Sequence, residues 1–163
     1  MYTAVFTPTA ESTTTASVSV GASAFTDAAG NANTVGDAIS MAVNTVTTTQ
    51  TYTVTVQSVS IGYGSSANRY FIDGVRQASL LLLSGNTYKF DQSASSNANH
   101  PFRFSTTSNG THGGGTQYTT GVTVVGTPGT AGAYTQITVT SETPALFYYC
   151  TNHSGMGGTI ATN

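Results

Sequence analysis

The chain has 163 residues, enough for one full domain or for one domain plus a fragment. Only 6% of its residues are charged, the net charge is −2, and the four basic residues are scattered, which argues against a nucleic-acid-binding surface. The composition is rich in Thr, Ser, Gly and Ala with a hydrophobic share of 38%, which favours a folded all-β protein over a disordered one.

Residues 1–45 form a first block. Alternation of polar and apolar residues predicts three strands, at 2–6, 16–20 and 39–43. The loop at 25–33 has turn formers at its centre. Asp27, Asn31 and Asp37 could bind calcium, but they lack the spacing of an EF-hand, so a turn stabilised by Asp and Asn side chains is the favoured interpretation. Three strands cannot close a sandwich, which needs about seven.

Two motifs of this block, at 2–8 and 25–31, resemble the C-terminal half of the immunoglobulin-like repeats found in large bacterial adhesins. The resemblance covers residues 1–45 and implies a partial immunoglobulin-like β segment. Such a segment is either part of a longer multidomain protein or is completed by strands from a neighbouring chain. Residues 46–51 have no turn formers and predict a linker, or a strand that passes between domains.

Residues 52–163 form a second block of a size suited to one β-sandwich. Strands are predicted at 52–56, 70–72, 80–83, 87–90, 102–105, 119–125, 134–140, 145–149 and 158–161. The Asp73-Gly74 pair predicts a type I′ hairpin turn, and no segment predicts a helix. The aliphatic run 80–83 is expected to be a fully buried strand, and it is far too short to cross a membrane. Many short strands punctuated by Gly and Pro indicate a Greek-key sandwich.

The only cysteine of the chain, Cys150, is followed by His153 and Met156, with two residues between successive members of the set. A thiolate and an imidazole suit both Cu(I) and Cu(II), and a weak thioether bond tunes the potential between them. Zinc would accept the cysteine and the histidine but gains little from the methionine. A blue-copper site needs a second histidine, for which His100 is the best candidate. The pattern predicts a metal site, with one copper ion as the first choice and zinc or no metal as alternatives.

Segments 87–91, 99–104 and 145–158 resemble a cupredoxin, the family of small blue-copper proteins that includes plastocyanin and amicyanin. The resemblance covers residues 51–163, and the late loop is its most specific part because it has the short ligand spacing of amicyanin. It implies a Greek-key sandwich of cupredoxin type with one type 1 copper ion. The equatorial ligands would be His100, Cys150 and His153, and the axial ligand would be Met156.

One position departs from the family pattern. Many cupredoxins have an asparagine directly after the first histidine, and its side chain hydrogen-bonds to the cysteine loop. This chain has Pro101 there, which offers neither a side-chain partner nor a backbone N–H. Asn99 and Asn152 are the candidate substitutes. Because such outer hydrogen bonds set metal affinity and potential, they decide how the site performs.

Two further side chains are assigned by their position in the chain. Tyr149 points opposite to Cys150 on the same strand, so it is a candidate second route for electrons beside the exposed edge of His153. His112 lies in a glycine-rich stretch and is assigned to a mobile loop outside the site.

Neither paired carboxylates nor a nucleophile with a base partner can be recognised, so the sequence predicts a protein that is not an enzyme. The first hypothesis is a cupredoxin-like module that passes single electrons to a redox partner protein within a larger surface or virion protein. The second is a metal-free or metal-stabilised structural or adhesive module that contacts neighbouring copies in an extracellular or phage fibre protein. Both hypotheses place the protein outside the cell, at the cell surface or in a virion.

Overall fold

The computed structural model describes residues 5–9 and 12–163. Its chain divides into two compact units, the first ending at Thr47 and the second running from Thr48 to Asn163. The strand predicted at 2–6 lies partly outside the described residues, and Val5 and Phe6 are not in a strand. Residues 49–51, predicted as part of a linker or of a strand between domains, are the first residues of a long strand of the second unit.

The strands described in the first unit are β1 (Thr15–Val18) and β2 (Ile39–Ala42), which pair antiparallel. In this pair Val18 opposes Ile39, and Met41 lies on the same face because side chains alternate along a strand. These three side chains are 48%, 73% and 50% exposed, respectively. The pair therefore presents one open apolar face.

The loop between these two strands is organised by Asp27. Its Oδ1 atom accepts the backbone N–H groups of Ala29 and Asn31, both at 2.9 Å, and its Oδ2 atom accepts the side-chain amide of Asn31 at 3.0 Å. These hydrogen bonds, with the Asn31 amide as the largest contribution, lower the pKa of the Asp27 carboxyl. The loop is thus the side-chain-stabilised turn favoured from the sequence.

The second unit is built from two β-sheets. Its strands are β3 (Thr49–Gly62), β4 (Ser65–Ile72), β5 (Val75–Arg76), β6 (Leu80–Leu82), β7 (Thr87–Asp91), β8 (Phe102–Ser105), β9 (Val122–Val125), β10 (Tyr134–Thr138), β11 (Leu146–Cys150) and β12 (Gly158–Thr162). The strand order is β5-β4-β3-β7-β10-β9 in one sheet and β6-β12-β11-β8 in the other. The pairs β3/β7 and β12/β6 are parallel, and the other neighbours are antiparallel.

Side chains from both sheets meet in one aromatic core. Phe90 from the first sheet stacks on Phe102 from the second, with ring centroids 4.7 Å apart, and Phe102 in turn stacks on Tyr148 at 5.0 Å. Offset contacts of this kind stabilise a core beyond the area that they bury. The predicted all-β sandwich is confirmed, whereas its Greek-key order of cupredoxin type stays a prediction.

The aliphatic run at 80–83 was expected to be buried on both faces, and this expectation is wrong. Leu82 is fully buried, but Leu81 and Leu83 are 57% and 43% exposed. The physical reason is that no second layer covers the outer face of the sheet at this point, since Thr159 and Ala161 of the neighbouring strand β12 are exposed as well, whereas Ile160 is buried. Only one face of this strand packs against the core.

Helical structure in the described residues is limited to two 3-10 turns, Ser95–Asn97 and Gly110–Gly113. Within the same part of the chain, no helix has the length and apolar character that a bilayer span requires. Both turns matter for the site, because the first leads into His100 and the second lies beside Cys150.

Candidate metal centre

Cys150 is the last residue of β11, at one end of the sandwich. Alternation along this strand directs Leu146, Tyr148 and Cys150 into the core, and the cysteine is 0% exposed. A thiol enclosed in this way has no access to a substrate, so its surroundings do not suit nucleophilic catalysis. They do suit a ligand that is shielded from solvent.

His100 is delivered to the same place by the segment that follows β7. Its backbone N–H donates to the carbonyl of Asn97 at 2.8 Å. Its own carbonyl accepts the Tyr70 hydroxyl at 2.7 Å and the side-chain amide of Gln92 at 2.9 Å. The residue is 7% exposed. With its backbone held from both sides, the imidazole is fixed in the core.

The two histidines present the same ring nitrogen to one sulfur. Nδ1 of His100 lies 3.8 Å from Sγ of Cys150, and Nδ1 of His153 lies 3.6 Å from it. The candidate ligand atoms of these three residues all lie within 4.8 Å of one another, and the two imidazole rings are 4.5 Å apart between centroids. The structure therefore brings together three of the predicted ligands, from segments about fifty residues apart in the chain.

These distances between ligand atoms can be compared with those around a single bound metal ion. Zinc bonds of about 2.3 Å to sulfur and about 2.1 Å to nitrogen, at angles of roughly 109–120°, hold the two ligand atoms roughly 3.6–3.8 Å apart. The observed separations of 3.6 and 3.8 Å fall in that interval. The group could hold a single metal ion with little movement, and two of its three residues are buried.

Met156 lies in the same core cluster as Cys150 and is buried. Its carbonyl accepts the backbone N–H of Tyr70 at 3.0 Å. Tyr70 thus bonds to the backbones of two predicted ligands, His100 through its hydroxyl and Met156 through its N–H. We call residues 150–156 the ligand loop.

The return of the ligand loop into β12 depends on a close backbone contact. A Cβ atom at Gly157 would overlap the carbonyl oxygen of Tyr148, so only glycine fits there. The side-chain amide of Gln77 donates to the carbonyls of Gly155, at 3.3 Å, and of Gly157. The loop is consequently held against the end of the sandwich on this side.

Burial lowers the pKa of the His100 imidazole, and the charge of the neighbouring His153 lowers it further. A neutral imidazole has a free lone pair, which is the form that binds a metal. The surroundings of His100 therefore favour the ligand form near neutral pH.

The free energy of unfolding of the metal-free protein is expected to fall as the pH drops below about 6.5. Because the His100 pKa is lowered in the folded state, the unfolded chain binds more protons between the two pKa values, and stability rises with pH there. This contribution is fully present above the unfolded pKa and is lost as the pH falls through the folded one. Thermal unfolding of chelator-treated protein from about pH 8 to about pH 5 measures it.

The matched comparison for this pH series is His100→Gln against Thr151→Ser, which changes no titratable group. The first variant should have a flatter dependence of melting temperature on pH than the wild type, whereas the second should retain the wild-type dependence. Equal dependence in wild type and His100→Gln would contradict the assignment.

The second ring nitrogen of His100 has its own partner. Nε2 lies 3.4 Å from the side-chain amide nitrogen of Asn68 on β4, which donates to it in this arrangement. A neutral imidazole that binds a metal through Nδ1 carries its proton on Nε2, so binding would require the Asn68 amide to turn its oxygen toward the ring. Asn68 is thus the residue placed to act as the outer partner of His100.

Pro101 has no side chain that could hydrogen-bond to the ligand loop, and other groups join the two segments. The Asn152 side-chain amide donates to the carbonyl of Asn99 at 3.0 Å, and the N–H of Thr151 donates to the carbonyl of Pro101 at 3.2 Å. Asn99 contributes through its backbone, in a left-handed conformation with φ of 63°. The two loops are thus joined by Asn152, one of the two candidate substitutes.

Tyr149 lies on the opposite face of β11 from Cys150 and is fully buried. Its ring packs against Gly110, where an added Cβ atom would come within 2.5 Å of it. Within the described part of the chain its hydroxyl has no hydrogen-bond partner. The phenol ring therefore does not reach the surface, and its role as a second route for electrons stays a prediction.

His112 is not a member of the ligand group found among the described residues, as the sequence predicts, but its loop does contact the centre. Its Nε2 atom lies 3.0 Å from the carbonyl oxygen of Cys150. Because a carbonyl only accepts, the imidazole donates this hydrogen bond. Of the glycines around His112, Gly110, Gly113 and Gly115 are closely packed.

Comparison of the chain with models of protein families, with curated proteins and with solved structures gives no match. The case for a function therefore rests on the geometry of the centre and on its chemistry.

Proposed function

We propose that the second unit is a metal-binding module of cupredoxin type that holds one copper ion and passes single electrons. The observation that carries this proposal is the convergence of two imidazole Nδ1 atoms on one buried thiol, at 3.6 and 3.8 Å. A cysteine with two histidines is the donor set of blue-copper sites. The protein acts by binding and redox chemistry and is not an enzyme.

Copper is preferred over zinc because of the fourth predicted ligand. Met156 is buried in the core that contains Cys150, and a thioether is a weak ligand that copper uses and zinc gains little from. Bound copper would take up and release one electron by cycling between Cu(II) and Cu(I). The residues of the chain serve to hold the ligands in one arrangement for both states.

Electrons would enter and leave through His153. It is the exposed member of the group, whereas His100 and Cys150 are buried. An imidazole that is a ligand on one side and solvent-exposed on the other allows close approach of a redox partner protein without a substrate pocket. The neighbouring residues of the loop are small or polar and uncharged, and the guanidinium of Arg69 lies beside Gly155.

A second candidate function is that of a structural or adhesive module in a larger surface or virion assembly. The observation that favours it is the open apolar face of β1 and β2, formed by Val18, Ile39 and Met41. Apolar faces of this kind usually mark an interface. In this case metal would stabilise the folded state by mass action and have no redox role.

Titration of the purified metal-free protein with Cu(II), followed by visible spectroscopy and thermal unfolding, tests the proposal. One equivalent of copper should produce an intense thiolate-to-copper band and raise the melting temperature. Met156→Leu should retain the band but shift the reduction potential, because the axial ligand tunes it.

Zinc provides the contrast in the same experiment. A structural zinc centre would give thermal stabilisation by Zn(II) that is insensitive to Met156→Leu. The absence of both the band and any stabilisation by either metal would contradict the proposed metal function and leave the structural module.

A further inference from the structure

The side chain of Asn109, the residue directly before the second 3-10 turn, contacts the ligand loop. The side-chain amide nitrogen donates to Oγ of Ser154 at 2.8 Å, and the side-chain oxygen accepts the backbone N–H of Gly155 at 2.8 Å. Both polar atoms of a single amide are thus used by two consecutive residues of the ligand loop. These two residues directly follow the exposed ligand His153.

The turn itself makes a second contact with the ligand loop, through His112. His112 donates from Nε2 to the carbonyl of Cys150 at 3.0 Å. The two contacts lie on either side of His153 in the sequence, one at its preceding ligand and one at the residues after it. We call residues 109–112 the clasp.

The clasp is itself fixed to the body of the unit. Gly110 packs on the buried ring of Tyr149, and its carbonyl accepts the N–H of Gly115 at 3.0 Å. Asn109 adopts a left-handed conformation with φ of 61°, which asparagine tolerates better than most residues. A loop anchored in this way can transmit rigidity to whatever it holds.

From these contacts we propose that the clasp is a positioning element of the metal centre, with Asn109 as its principal residue. This inference rests on the proposed function of the centre. Among the three grouped ligands only His153 is exposed, and the loop that bears it lies outside the strands. Without the clasp, the segment after His153 would keep Gln77 as its side-chain link to the body of the unit. With it, the loop is held from two sides, and the imidazole keeps its place when the metal is absent or changes oxidation state.

Asn109→Gly is the variant that isolates the side chain. Glycine adopts the left-handed conformation without strain, so the backbone of the clasp is retained and only the amide is lost. We expect the dissociation constant for copper to rise about 10–100-fold, the range typical when an outer partner of a metal ligand is removed. The thiolate-to-copper band should also shift, since its energy reports the geometry at Cys150 and His153.

Asn109→Asp is the conservative variant expected to restore wild-type behaviour. Aspartate also tolerates this backbone conformation, its carboxylate accepts the Gly155 N–H, and the Ser154 hydroxyl can donate to it. Asn86→Ala is the matched control. Asn86 directly precedes β7, and its side-chain oxygen accepts hydrogen bonds from the N–H of Thr48 at 3.2 Å and from the Thr48 hydroxyl at 2.7 Å. Loss of the Asn86 side chain should therefore lower the melting temperature without changing copper binding.

A measurement on the metal-free protein tests the effect of the clasp on the loop independently of metal binding. Hydrogen exchange of the Gly155 amide should be faster in Asn109→Gly than in wild type and unchanged in Asn86→Ala. Wild-type copper affinity and an unshifted band in Asn109→Gly would overturn the positioning role of the clasp while leaving the proposed function intact. Failure of the wild type to bind copper would overturn both, whatever the exchange rate of Gly155.

Discussion

Cys150→Ser is expected to abolish the thiolate-to-copper band and to remove the stabilisation that copper provides. The sulfur is the one ligand atom that both histidines approach, at 3.8 and 3.6 Å. A hydroxyl is a poor ligand for copper at neutral pH, so the variant would retain only the two imidazoles. At a free copper concentration about 1,000 times the wild-type Kd, binding stabilises the folded state by about 4.1 kcal/mol. In the variant, less than about 1 kcal/mol of this increment should remain.

Visible spectra and melting temperatures with and without copper measure this effect. Thr151→Ser is the matched control, since it changes the adjacent residue of the same loop and keeps its hydroxyl. It should behave as the wild type does. The metal-free Cys150→Ser protein should still fold, because serine is close to cysteine in size and a buried hydroxyl without a partner costs about 1–3 kcal/mol, less than the stability of a typical domain. A copper-dependent rise in melting temperature equal to that of the wild type would contradict the role of Cys150.

Gly157→Ala, directly after the ligand loop, is expected to cause a larger loss of stability than Gly155→Ala within that loop. A Cβ atom at this position would overlap the carbonyl oxygen of Tyr148, which belongs to the backbone of β11 and cannot rotate away. Forcing a methyl group into packed structure typically costs 1–3 kcal/mol, and a backbone clash places this variant near the upper end, at about 3 kcal/mol. The melting temperature should fall by roughly 10–20 °C.

Gly155→Ala separates the clash from the general effect of adding a methyl group to this loop. Gly155 has φ of +74°, and the nearest atom to an added Cβ is a guanidinium nitrogen of Arg69 at 4.0 Å. The free energy of unfolding of that variant should fall only by the cost of placing alanine in the left-handed conformation, about 1–2 kcal/mol, and the copper band should remain. Similar losses of stability in the two variants, measured by thermal unfolding, would show that the contact with Tyr148 is not what limits position 157.

The strands were predictable because their periodicity is local. The segment at 102–105 has Phe102 and Phe104 in the core with Arg103 between them on the other face, and it forms β8 with the predicted bounds. The Asp73-Gly74 turn has φ values of 48° and 82°, as a type I′ hairpin requires. The error at 80–83 has a non-local cause, since an aliphatic run does not reveal whether a second layer covers the outer face of its strand.

The predicted ligands could be read from the sequence because donor type and spacing are chemical properties of the residues themselves. The residues that hold those ligands could not be read in this way. Tyr70 looks like any aromatic strand residue until its hydroxyl is seen to bond to His100. The stretch at 110–115 is ambiguous, since glycine serves both mobility and close packing. Only the contact of Gly110 with Tyr149 decides between the two.

X-ray absorption spectroscopy at the copper edge, on protein loaded with one equivalent of copper, tests the central claim most directly. We predict one short sulfur ligand, from Cys150, and two imidazole nitrogen ligands, from His100 and His153, around a single ion. A spectrum with only nitrogen and oxygen neighbours would contradict the account.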